Sequence, residues 1–206
     1  MRIVNFNEVR ELVIESMRKR MLIPILGSGF TRGCSAFQGS VPSGADYQQH
    51  MITAIQLSGE FTPDETTLLY SAPFSKVSGI YHAVIPAEKQ HEYLRANFTN
   101  VLLDNCRRKF LSIPWPYVYT LNIDDAIERN SNFQFVVFSY RRLRKNIFDE
   151  YKCVIKLHGD ITEILSYEDS VSEIFDQRQY IASIHNNQSI LSRLTHYISY
   201  QNLLYF

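Results

Sequence analysis

Three short stretches of this chain set groups that could hold a ligand or move a proton at the end of an apolar run. Gly27-Ser28-Gly29-Phe30-Thr31 comes directly after Met21–Leu26. Glycine there admits a close approach to the backbone, and free N–H groups in such a turn can cradle a phosphate or diphosphate. The same residues also suit an ordinary turn. Thr120-Leu121-Asn122-Ile123-Asp124 closes a second apolar run. Its amide and carboxylate, two residues apart, can meet hydroxyls or a carboxamide. Asp124 or Asp125 can equally cap the helix that follows. Leu157-His158-Gly159-Asp160 closes a third run, Cys153–Leu157. An imidazole titrating near neutrality, at about 6.5 when unperturbed, suits general-base work, although a histidine at this place can also be structural.

These stretches need elements that bring them together. Asn5 to Arg20 reads as an opening helix, with Phe6, Val9, Leu12, Val13 and Met17 on one stripe and Asn5 with Glu8 as a capping pair. Met21–Leu26 reads as a buried strand, against which Pro24 withholds one ladder donor. The Gly-, Ser- and Pro-rich stretch to Tyr47 reads as a loop. Residues from Gly44 to about Asn100 read as helical, with a helix start at Pro86. A further helix is expected over Val101–Leu111. Strands are expected at Val118–Asn122, Phe133–Tyr140 and Cys153–Leu157, and a short helix begins near Asp124. Ser172–Tyr200 reads as mostly helical, with Ile181, Ile184, Ile190, Leu191, Leu194 and Ile198 available for burial. Leu203–Phe206 begins a fifth strand. Strands alternating with helices imply an α/β fold, a parallel sheet covered on both faces. Ligands of open sheets of this kind sit beyond the carboxyl ends of the strands, where all three stretches fall.

Composition narrows the function classes. The 206 residues suit one domain, or one domain with an inserted module. Lys plus Arg equals Asp plus Glu at 21 each, so no global field favours nucleic acid or an anionic membrane. Cys34, Cys106 and Cys153 form no Cys-x-x-Cys pair. That argues against a disulfide framework and a four-thiolate zinc site, and fits a reducing cytoplasm. The charged N-terminus lacks a secretory apolar core, and no run approaches 18 apolar residues. The chain stops on an apolar strand, which reads as a domain cut short within a longer protein.

Taken in order, the three stretches resemble the motifs of the sirtuin superfamily. The family's Gly-Ala-Gly-hydrophobe-Ser motif is matched by Gly27, Ser28, Gly29, Phe30 and Thr31. Its Thr-Gln-Asn-Ile-Asp motif is matched by Thr120 to Asp124, with Leu121 in place of Gln, and its His-Gly by His158 and Gly159. Val41-Pro-Ser-Gly44 is similar to the segment that follows the family's glycine loop. The resemblance spans about residues 21–206. It implies a Rossmann-like parallel sheet with a helical insertion at about 44–112 and with NAD as substrate. Gly27, Ser28, Gly29, Phe30, Thr31, Asp124 and Gly159 would bind NAD, and His158 and Asn122 would be catalytic. A Gly-Ser loop after the last strand would meet the adenosine half, and the chain stops before it.

Protein-deacylating sirtuins hold zinc with two cysteine pairs, which this chain lacks, so no zinc module and no metal are expected. The segment after Gly33 also lacks the family's usual Ile-Pro-Asp-Phe-Arg. The pattern is more similar to the sirtuin-like NAD hydrolases of bacterial antiviral defence. That resemblance implies cleavage of NAD to nicotinamide and ADP-ribose in the cytoplasm, by a homo-oligomer governed by a protein partner or a downstream domain. A non-catalytic sensor of NAD or ADP-ribose and an NAD-dependent protein deacylase are the alternatives. A dehydrogenase is disfavoured, because Gly27-x-Gly29-x-x-x-Gly33 departs from Gly-x-Gly-x-x-Gly by one residue and no helix starts in the turn. The basic run Arg141–Lys145 reads as a solvated face, and nucleic acid is not expected as a partner.

Overall fold

The apolar runs form a sheet, and the three at its centre bury both of their faces. The computed structural model describes residues 5–133, 135–138, 152–166, 187–198 and 202–205. Its strands are β1 (Leu22–Leu26), β2 (Tyr117–Thr120), β3 (Phe135–Phe138), β4 (Cys153–Lys156) and β5 (Asn202–Tyr205). They lie in the order β3-β4-β2-β1-β5, and every pair is parallel. Leu26 is level with Thr120, and Thr120 with Lys156, so β1, β2 and β4 end at one height on neighbouring strands. Pairing of β1 with β2 covers only Ile25 and Leu26, so the donor that Pro24 lacks precedes that ladder.

Alternation along the strands divides the core into two layers. Ile23, Tyr117, Tyr119, Cys153 and Ile155 form one cluster with Ile190 of a helix at Gln188–Ile198. Leu22, Leu26, Val118 and Val154 turn to the other face, into a larger cluster built by the helices between β1 and β2. Helices on both faces of an all-parallel sheet make this an α/β, Rossmann-like fold.

The N-terminal helix α1 (Phe6–Arg18) has the expected cap. The Asn5 side chain accepts from Asn7 N at 3.0 Å, and Glu8 accepts from Asn5 N at 3.1 Å. Its apolar stripe is narrower than expected. Val13 and Met17, four apart, pack on the core, whereas Leu12 is 57% exposed. A 100° step separates Leu12 from Val13, and only the i, i+4 row meets the sheet.

The expected helical insertion is α2 (Gly44–Ser58), α3 (Pro63–Leu69), α4 (Phe74–Val84), α5 (Ala87–Phe98) and α6 (Asn105–Ser112). Ser43 with Asp46 and Thr62 with Glu65 cap α2 and α3 reciprocally. The last of these helices starts at Asn105 instead of Val101. Long-range contacts hold residues 100–103 outside the helix: the Asp125 carboxylate accepts from Asn100 N (2.8 Å) and Val101 N (2.9 Å), and Leu102 N donates to Ser35 O (2.9 Å). Asp104 then caps the helix by accepting from Arg107 N at 2.9 Å. Three helices complete the described chain: α7 (Ala126–Asn130), α8 (Ile161–Ser166) and α9 (Gln188–Ile198).

The Arg141–Lys145 run, Ile181 and Ile184 lie outside the described residues. Among the described residues no helix is long and apolar enough to cross a membrane.

Candidate functional site

The turn after β1 and the loop after β2 are joined by a short polar relay. Residues 28–30 make one 3-10 turn, which brings Thr31 back beneath the loop after β2. The Thr31 hydroxyl donates to Asp124 Oδ2 at 2.7 Å, and Asn122 Nδ2 donates to Thr31 Oγ1 at 3.0 Å. Asp124 Oδ1 accepts from Ala126 N at 3.1 Å, at the start of α7. Thr31, Asn122 and Asp124 are all buried. Burial pushes the Asp124 carboxyl up from the usual range, and the Lys156 ammonium and the Thr31 hydroxyl pull it back down.

Donor rules fix the relay's direction. A threonine hydroxyl has one proton, and Asp124 takes it. Thr31 Oγ1 must therefore accept from Asn122, which assigns the amide nitrogen of Asn122 to Thr31 and leaves its Oδ1 without a donor among the described residues. Thr120 positions the same residue from beneath, accepting from Asn122 N at 3.0 Å while donating to Leu26 O at 3.1 Å. This is why β2 ends at Thr120 and not at Asn122.

His158 leaves β4 two residues beyond Lys156, and Asn122 leaves β2 two residues beyond Thr120. Because Lys156 pairs with Thr120, the two residues lie equally far past the ends of neighbouring strands. The His158 ring is half-buried and makes no hydrogen bond with a described residue. Burial lowers its pKa below the ordinary imidazole value, so it is a neutral base at neutral pH. Gly159 has φ of +103°, a conformation that side chains strongly disfavour, and it lets the chain reverse directly behind the imidazole.

Lys156 holds the two loops together, and nothing in the sequence reading singled it out. It is fully buried. Its ammonium donates to Ile123 O (3.1 Å), Asp124 O (2.6 Å) and Asp160 Oδ2 (2.7 Å), and pairs with Glu128 Oε1 at 2.8 Å. Burial opposes its charge, but Glu128, Asp160 and Asp124 together hold its pKa above the usual lysine value. Asp160 Oδ1 meanwhile caps α8 through Thr162 N at 2.8 Å. Ile161 N adds a bond to Ile123 O at 2.8 Å. A lysine inside Cys-Val-Ile-Lys-Leu was the available signal, since a buried ammonium demands carboxylates.

A cleft of about 100 Å³ opens at the carboxyl edge of β1 and β2. Ser28, Thr31, Asn122 and Asp124 form its polar side, and Tyr47, Phe74 and Phe98 its aromatic wall. Of the expected site residues, Gly27, Gly29, His158 and Gly159 do not line this cleft. Phe30 points elsewhere: it is a core residue 5.7 Å from the Phe110 ring, and it anchors the turn. Among the described residues no group of three or more His, Cys, Asp or Glu is arranged to hold a metal ion.

Fold and site together define a parallel-sheet α/β domain with its polar cleft at the carboxyl ends of two central strands. Comparison with protein-family models and with curated proteins gives no match.

Proposed function

We propose that this domain binds NAD across the turns after β1, β2 and β4 and hydrolyses its nicotinamide–ribose bond. The observation that carries this reading is the Asn122–Thr31–Asp124 relay, in which the amide oxygen of a buried asparagine has no donor among the described residues, at the end of a strand whose neighbour leads into a neutral histidine. The motif set that resembles sirtuin-like NAD hydrolases gives the reading its substrate. Gly29 supports it as well. A Cβ there would meet nothing within 4 Å, so packing within the protein does not call for glycine, whereas a diphosphate approaching the backbone would. The aromatic wall of Tyr47, Phe74 and Phe98 suits a flat nicotinamide ring.

In the reaction the C1′–N bond breaks and its electron pair leaves with nicotinamide, which departs neutral and needs no general acid. Positive charge develops on the ribose. Water forms the new C1′–O bond and yields its proton to His158. Asn122 Oδ1 accepts a hydrogen bond from that water or from a ribose hydroxyl and fixes its orientation. Asp124 acts at one remove: with both oxygens engaged by Thr31 and Ala126, it holds Thr31, and Thr31 holds Asn122. In a cell the outcome is NAD depletion, the role of the defence proteins that the motifs resemble.

The test is nicotinamide released from NAD, measured by chromatography. Asn122→Ala should reduce release by about 10²-fold or more, the scale set by losing orientation of a reactant. Its melting temperature should fall only slightly, because one hydrogen bond of about 1 kcal/mol is lost. Undiminished release from the variant would remove Asn122 from the mechanism.

A further inference from the structure

A second cavity, of about 720 Å³, lies within the helical insertion between α2, α4 and α5. Three of its lining groups are unusual. Tyr81 is only 1% exposed, and its hydroxyl hydrogen-bonds no described residue. The Tyr93 hydroxyl and the His50 ring, both on half-buried side chains, also hydrogen-bond no described residue. All three line the cavity, so their donors and acceptors are available there to a polar ligand.

The chemistry of the walls describes that ligand. His50 and Tyr93 stack with ring centroids 3.6 Å apart and planes 13° from parallel, presenting a flat aromatic surface. Burial pushes both tyrosine hydroxyls up to about 12, so both stay protonated and can donate. Burial pushes the His50 pKa down, so its ring is neutral and can accept. Leu57 and Ile85 add apolar wall. Lys89 and two carboxylates, Glu60 and Glu92, also line the cavity, a balance that disfavours phosphate. Flat, uncharged, and bearing both donors and acceptors at its edge: these are the properties of a nucleobase or nucleoside.

We infer that this cavity is a binding site for an uncharged nucleoside, held by stacking on the His50–Tyr93 pair and by hydrogen bonds to Tyr81, Tyr93 and His50. The site is separate from the cleft at the sheet edge, and Tyr47 stands between the two. Its ring lies 5.2 Å from that of Tyr93, and it also lines the cleft.

Calorimetric titration of the protein with adenosine, guanosine, cytidine and uridine tests the inference. At least one should bind saturably with Kd below about 1 mM, and its monophosphate should bind more weakly. Tyr81→Phe should weaken that nucleoside about tenfold, the scale of one hydrogen bond, without lowering the melting temperature, because the hydroxyl hydrogen-bonds no described residue. Asn122→Ala should leave nucleoside binding unchanged. Failure of all four nucleosides to saturate would overturn the proposal. So would binding lost in Asn122→Ala but intact in Tyr81→Phe, which would move the ligand to the cleft.

Discussion

Replacing His158 with alanine should lower nicotinamide release from NAD by about 10²–10⁴-fold, the usual contribution of a positioned general base. The ring hydrogen-bonds no described residue, so the variant should stay folded and the loss should appear in kcat at saturating NAD. The pH profile gives a second readout. Burial lowers the pKa of His158 from 6.5, so the acid limb of the wild-type rate should have its midpoint below that value. The variant's residual rate should lose this limb. Stability should move in the same direction. Between the depressed folded value and about 6.5 the unfolded chain binds the extra proton, so acidification through that window destabilises the fold. A wild-type limb centred above 6.5, or an unaltered rate in His158→Ala, would assign the proton to another group.

Replacing Lys156 with methionine should have the largest effect on stability, a loss of about 3–5 kcal/mol. Methionine fills the volume of the stem but leaves Asp160 and Glu128 buried without a counter-charge, and leaves the carbonyls of Ile123 and Asp124 without their donor. Urea denaturation at neutral pH measures this as a lower midpoint. Because the ammonium ties the Asn122 loop to the His158 turn, the folded fraction should also bind NAD more weakly. Adding Asp160→Asn to Lys156→Met should recover part of the lost stability, since one orphaned charge is then removed. A loss under about 1 kcal/mol in the single variant would mean that water reaches the carboxylates and that the two loops hold themselves.

Local patterns reveal much of this fold, and long-range contacts hide the rest. The Asn5–Glu8 cap, the strands at β1, β2 and β4 and the loop ahead of α2 depend on neighbours a few residues away, and they are readable for that reason. The start of α6 is not. Residues 101–104 have helical composition, but the carboxylate of Asp125, more than twenty residues on, claims two of the backbone donors just before it. The three site stretches were legible as strand-end turns, and parallel pairing then required them to share one edge. Which strands are neighbours could not be read from sequence. Nor could the part played by Asp124. Its position suited a cap or a ligand contact, and it both accepts from the first N–H of α7 and directs Thr31. Lys156 escaped notice because a single cation in a strand has no local meaning until Glu128 and Asp160 surround it. The cavity under Tyr81 arises from the packing of α2 against α4 and α5, which no helical period encodes.

Crystals of the protein with ADP-ribose bound would test most directly whether the three turns form one NAD site. The diphosphate should lie within hydrogen-bonding distance of the backbone of residues 27–31, with the reacting ribose between the Asn122 amide and the His158 imidazole. A diphosphate seated away from that turn, or a His158 ring facing away from the ribose, would contradict it.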